Sequence, residues 1–258
     1  MVQKRMLFGF IPIIVSIMSC SSIKVIETGE LTGDDNVPVE IKIIPGEHYK
    51  HKMKINSFIK ITNVPQMAVW VEDSENNFIT TVFITNRSAN QSWRGTPGED
   101  KGKGEVRRAS ALPLWSHHRG VQYEDGLYMP TKENPMPDAV SSATPKDDFI
   151  IKSKIPEQGD LWIYLEVNSS TDFNEAYSAD APEGSKYYSG GKFESGQPAL
   201  VYRCKIDRTE LNSKEPFSKK FELIGHSSPD GSDGKIYSDM EGITSAFEII
   251  EEAVISKK

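Results

Sequence analysis

Seven consecutive residues carry the most specific chemical signal in this chain: Asp138-Ala139-Val140-Ser141-Ser142-Ala143-Thr144. Three hydroxyls lie among alanines, with one carboxylate at the head of the string. Pro135, Pro137 and Pro145 flank it and keep it out of regular structure. Small neighbours leave the Thr144 hydroxyl open to approach. A second string, Leu114-Trp115-Ser116-His117-His118-Arg119, combines a large aromatic, two imidazoles and a guanidinium. Trp115 could stack on a planar ligand and Arg119 could meet a phosphate, with His117 beside them. Adjacent histidines diverge on a strand or helix and rarely share one metal, and His48, His51 and His226 show no metalloprotease spacing, so no metal site is expected. Glu166-Val167-Asn168-Ser169-Ser170-Thr171-Asp172-Phe173-Asn174-Glu175 could bind calcium or a sugar at a strand end, although turn chemistry is the simpler reading. Pro229-Asp230-Gly231-Ser232-Asp233-Gly234 lacks the spacing and closing glutamate of a calcium loop and reads as a Gly-rich turn. There is no Gly-x-Ser-x-Gly elbow, Walker motif or dinucleotide fingerprint, which favours a non-catalytic protein over an enzyme.

The 138–144 string resembles the acceptor motif of flavin transferases, Asp-x-x-Ser/Thr-Gly-Ala-Thr/Ser. Ser142 stands where that motif has glycine, and Pro145 replaces a hydroxyl-rich continuation. The resemblance implies FMN joined through its phosphate to Thr144, with Asp138 positioning the motif or assisting deprotonation, and Ser141, Ser142 and Ala143 keeping it slim. It implies a flavin transferase and a redox partner. The order of motifs over 67–174 is similar to a family of uncharacterised bacterial secreted or periplasmic lipoproteins. That order comprises the strand Ala68-Val69-Trp70-Val71-Glu72-Asp73, a partner at 78–85, a Trp-containing stretch and then the acceptor-like string.

The N-terminus is a sorting signal in composition. Lys4 and Arg5 precede an apolar run over 6–18, too short for a stable span and followed by Ser19-Cys20. Ile17-Met18-Ser19-Cys20 resembles a bacterial lipobox, although Met18 is larger than usual for its place. The resemblance implies removal of 1–19, lipidation of Cys20, and a location in the bacterial cell envelope, periplasmic or surface-facing. Diacylglycerol plus an N-acyl chain supplies the more than one anchor that stable attachment needs. Cleavage removes two cations and no acid, taking the formal charge from −7 to about −9. An acidic chain with 26% charged residues is globular in composition and unsuited to nucleic acid. Two cysteines build no disulfide framework. Cys204 shares an alternating apolar face with Leu200, Tyr202 and Ile206 and reads as a core residue.

Residues 20–37 read as a polar tether and 38–258 as one domain. Strand signals recur at 39–43, 58–62, 67–72, 78–85, 161–167, 199–206 and 220–224, with a polar hairpin loop at 73–77. The segment 243–255 fits a strand or a short helix. Short strands punctuated by Gly, Pro and Asn predict an all-β fold, an immunoglobulin-like antiparallel β-sandwich. Residues 86–147 hold twelve glycines and prolines and form a long insertion, with a short helix predicted around 105–112. Two functions follow: a lipid-anchored covalent FMN carrier, or a protein- or glycan-binding structural module.

Overall fold

In the computed structural model, residues 23–29, 36–54, 60–93, 99 and 105–258 are described. In chain order the strands are β1 (Lys24–Glu27), β2 (Asn36–Pro45), β3 (His51–Lys54), β4 (Lys60–Asn63), β5 (Gln66–Asp73) and β6 (Phe78–Thr85). Helices α1 (Asn86–Ala89) and α2 (Pro113–His118) follow, then β7 (Ser141–Ser142), β8 (Phe149–Pro156), β9 (Leu161–Asn168) and β10 (Leu200–Ile206). The chain closes with α3 (Arg208–Asn212), β11 (Phe217–Lys220), β12 (Glu222–His226) and β13 (Ile250–Lys257). The predicted strand at 58–62 is observed only from Lys60, because Phe58 and Ile59 lie outside the described residues.

Two sheets form an all-β sandwich. One runs β1-β8-β2-β13-β11, the other β12-β10-β9-β5-β6-β7, and β3 pairs with β4 separately. Pairing is antiparallel except at two margins, where β1 joins β8 and β7 joins β6 in parallel. Between the sheets lie the alternate residues of each strand. Ile41 and Ile43 from β2, Val69 and Val71 from β5, and Ile163 and Leu165 from β9 share one core, which Cys204 joins as expected of a small apolar side chain.

The second sheet is covered on both faces. Its outward residues Ala68, Trp70, Tyr164 and Val201 pack against Ala89, Leu112, Leu114, Trp115 and Val140 of the 86–147 insertion. Burial on both faces is why β5 reads as a nearly unbroken apolar run while β2 alternates. The insertion is thus a second layer with its own small core. The helix predicted around 105–112 is absent there, and α2 begins at Pro113 instead. Proline suits the first helical position and disfavours helical backbone in the residue before it, and Leu112 has φ −146° and ψ 65°.

Turn chemistry sets the other boundaries. Asp73 accepts the N–H groups of Glu75 (2.8 Å) and Asn77 (2.9 Å), and Asn76 takes the left-handed conformation that closes the β5–β6 hairpin. The closing segment resolves into a 3-10 turn, Ser245–Glu248, followed by β13. Inside the stretch expected as a tether, Lys24–Glu27 forms an ordered edge strand. Its Ile26 is buried, and Gly29 N–H donates to Ala139 O at 3.1 Å.

Candidate functional site

Cys20 lies outside the described residues. The acceptor-like string divides by position. Asp138 opens an exposed 3-10 turn, Asp138–Val140, whose Val140 is buried in the insertion core. Ser141 and Ser142 form β7, in register with Ile84 and Thr85 at the edge of the second sheet. The serine in place of the motif's glycine therefore sits in extended backbone, a conformation open to any residue. Ala143 is exposed. Thr144 is half-buried, and its hydroxyl donates to Pro65 O at 3.1 Å.

The string from Leu114 to His118 lies in α2 with Arg119 just after its end, and its residues are packed rather than presented. Trp115 is 1% exposed, donates from Nε1 to Thr81 Oγ1 at 3.0 Å, and carries the Arg119 guanidinium over its ring at 5.2 Å. A planar ligand has no open face of Trp115 to meet. His117 bonds Pro113 O through Nδ1 and stacks on Tyr128, while Arg119 donates to Tyr128 O and Tyr123 Oη. These three residues hold the insertion together.

Beneath α2 lies an ionisable cluster whose members His118 and Glu166 the sequence places in separate strings and does not connect. Glu72 on β5 and Glu166 on β9 both point outward from the second sheet and are 0% exposed under the insertion. Glu166 accepts the backbone N–H of Leu114 at 3.1 Å and of Trp115 at 2.8 Å. These are first-turn amides of α2, otherwise without helical partners. Burial nevertheless dominates and pushes the Glu166 carboxyl up to about 7, against the pull of those amides and of His118. Glu72 Oε1 accepts Trp70 Nε1–H and faces His118 Nδ1, both at 2.6 Å, whereas its Oε2 is buried with no hydrogen-bond partner among the described residues. His118 Nε2 faces Gly234 O at 3.1 Å. With an acceptor at each nitrogen, the ring is bonded on both sides only as imidazolium. Burial opposes that charge, but the Glu72 carboxylate prevails and raises the His118 pKa. The Trp70 and Tyr164 rings stack beside the pair at 5.0 Å. Polar contacts extend the docking: Arg108 pairs with Glu99 and Glu194, and Ser110 Oγ donates to Glu194 Oε2 at 2.7 Å.

The turn at 229–234 serves the same seam. Ser228 Oγ and Asp230 Oδ1 both accept the Ser232 N–H, and a Cβ on Gly231, at φ +77°, would lie 2.3 Å from Ala109 backbone atoms. Only glycine fits this approach without displacement.

At the end of the second sheet where β9 stops and β10 starts, long loops over 169–199 and 227–249 meet. They enclose an open cleft of about 380 Å³, lined by Tyr177, Tyr188, Tyr237, His226, Lys186 and Asp230 among others. Tyr237 is 37% exposed, stacks on His226 at 5.4 Å and donates to Asp233 Oδ2 at 2.8 Å. Lys186 bridges Asp239 and Glu241 at the rim. The same end gathers His48, His51 and Asp172, whose ligating atoms all lie within 4.8 Å of one another. Sequence spacing did not point to this group, because 124 positions separate His48 from Asp172 and only the sandwich brings them together.

No family model matches the chain, and neither a curated protein nor a solved structure matches it. The function therefore rests on the geometry above. Among the described residues no helix is long and apolar enough to cross a membrane.

Proposed function

We propose that this chain is a lipid-anchored, non-catalytic binding protein of the bacterial envelope, and that the cleft at 177–239 receives a saccharide. The observation that carries this reading is the cleft itself. Its volume falls in the range of small-ligand sites, and its lining mixes tyrosine rings with carboxylates, serine hydroxyls and a lysine. Tyrosine rings accept the C–H face of a sugar, and the polar groups meet its hydroxyls. The partly exposed Ile236 and Tyr237 extend the apolar lip. Titrating the purified protein with a panel of envelope-type oligosaccharides is expected to yield saturable binding. Tyr237→Ala should weaken it roughly tenfold, the worth of one lost stacking contact. A panel without a binder, or an unchanged affinity in the variant, sinks the assignment.

Covalent FMN at Thr144 is the second reading. What supports it is that Ala143 is exposed and Thr144 half-buried, in a proline-bounded surface segment. Attachment would replace the hydroxyl's bond to Pro65 O. Co-expression with a flavin transferase is expected to add the mass of FMN to the peptide containing Thr144. A protein that stays unmodified beside an active transferase excludes this reading.

A further inference from the structure

We propose that His48, His51 and Asp172 form a zinc site with three protein ligands and a fourth position open to solvent. This assignment is independent of the saccharide reading. Two imidazoles and one carboxylate are a donor set found in zinc sites that keep an exchangeable position. Bonds of about 2.0–2.2 Å set tetrahedral ligand atoms roughly 3.3–3.5 Å apart. His48 Nε2 and Asp172 Oδ1, at 3.1 Å, already span such an edge. His51, whose ring lies 5.0 Å from that of His48, closes the third corner by side-chain rotation.

The carboxylate is held as a ligand should be. Gln197 Nε2 donates to Asp172 Oδ2 at 2.9 Å, and Ser245 Oγ lies 2.9 Å from both oxygens. Its backbone is pinned as well: Asp172 N–H donates to Ser195 O at 2.7 Å, and Gly196 packs so closely that a Cβ would lie 2.6 Å from Asp172 C and O. Charge leads to the same conclusion. The Asp172 side chain is 5% exposed and its steadying donors, Ser245 and Gln197, are neutral. Among the described residues its ion-pair partner is His48, and a divalent cation between the two would offset the buried charge more completely. The His48 side chain is 26% exposed, which leaves the ion a path in and room for a water or an incoming donor.

The test uses the tag-free protein, stripped by chelator and titrated calorimetrically with Zn²⁺ alone, with Co²⁺ as the spectroscopic probe. One zinc per chain is expected, along with visible cobalt absorption of a low-coordinate site. His51→Ala and Asp172→Asn are each expected to weaken zinc binding by at least roughly tenfold. His51→Ala keeps the His48–Asp172 contact and so separates metal ligation from a purely structural hydrogen bond. Should Asp172→Asn fail to fold by circular dichroism, His51→Ala decides alone. Absence of stoichiometric zinc, or unchanged affinity in folded His51→Ala, overturns the proposal.

Discussion

Glu166 and His118 make the stability of this protein depend on pH in one direction. Both bind protons more tightly folded than unfolded. The Glu166 contribution is complete below the unfolded carboxyl value of about 4.3 and is lost as pH rises through about 7. That of His118 is complete below about 6.5 and is lost as pH rises through its higher folded value. His51, held below its ordinary value by burial, works in the opposite sense and adds stability as pH rises toward about 6.5, while the carboxyls held low, Asp230 and Asp233 among them, act only in acid. Urea unfolding at pH 5 and pH 8 should therefore show the lower stability at pH 8, with Glu166 alone contributing on the order of 3 kcal/mol. Glu166→Gln should flatten this slope, and an equal slope in the variant would refute the assignment. His118→Ala leaves the Glu72 carboxylate buried without its cation and should cost about 3–5 kcal/mol, read from the urea midpoint at pH 6. None of this was legible in the sequence. Glu72 reads as the polar end of an apolar strand and Glu166 as the head of a strand-end polar string, and neither reads as buried without the second layer that covers it. His118 was read only with its neighbour, and not with an acid 46 positions away.

At the level of elements, the strands were legible because one face of each is consistently apolar, as in Leu161, Ile163, Leu165 and Val167. The insertion was legible as an interruption but not as a layer. Its packing residues, Ala89, Leu112, Leu114, Trp115 and Val140, have no period, since they come from separate short helices and the loops between them. Trp115 reads as a ligand contact in a list of residue types and is a core residue in three dimensions. Trp115→Ala should accordingly cost about 3–5 kcal/mol in thermal or urea unfolding, as for a large buried aromatic. Gly231→Ala tests the seam more locally. A Cβ pushed against Ala109 should loosen the insertion before it unfolds the sandwich, so limited proteolysis should cut within 86–147 first while the β-sheet circular dichroism persists. Simultaneous loss of both would show that the two layers fold as one unit.

For the whole molecule, the proposed anchor has a direct readout. Cys20→Ser should shift the protein from the membrane fraction to the soluble envelope fraction, and retention in the membrane would argue for another mode of attachment. The ordered β1 then changes what the anchor does. Four positions separate Cys20 from Lys24, a reach of at most about 14 Å. Lys24 pairs with Phe149, and Phe149 with Ile43, so the chain enters the sandwich at the end where β2 leads into His48 and His51. A lipid on so short a leash would hold the His48–His51–Asp172 cluster toward the bilayer and leave the far end, at Asn36 and Pro156, pointing away. Anything reaching that cluster would then approach through the thin gap above the headgroups, which makes the membrane surface one wall of the site.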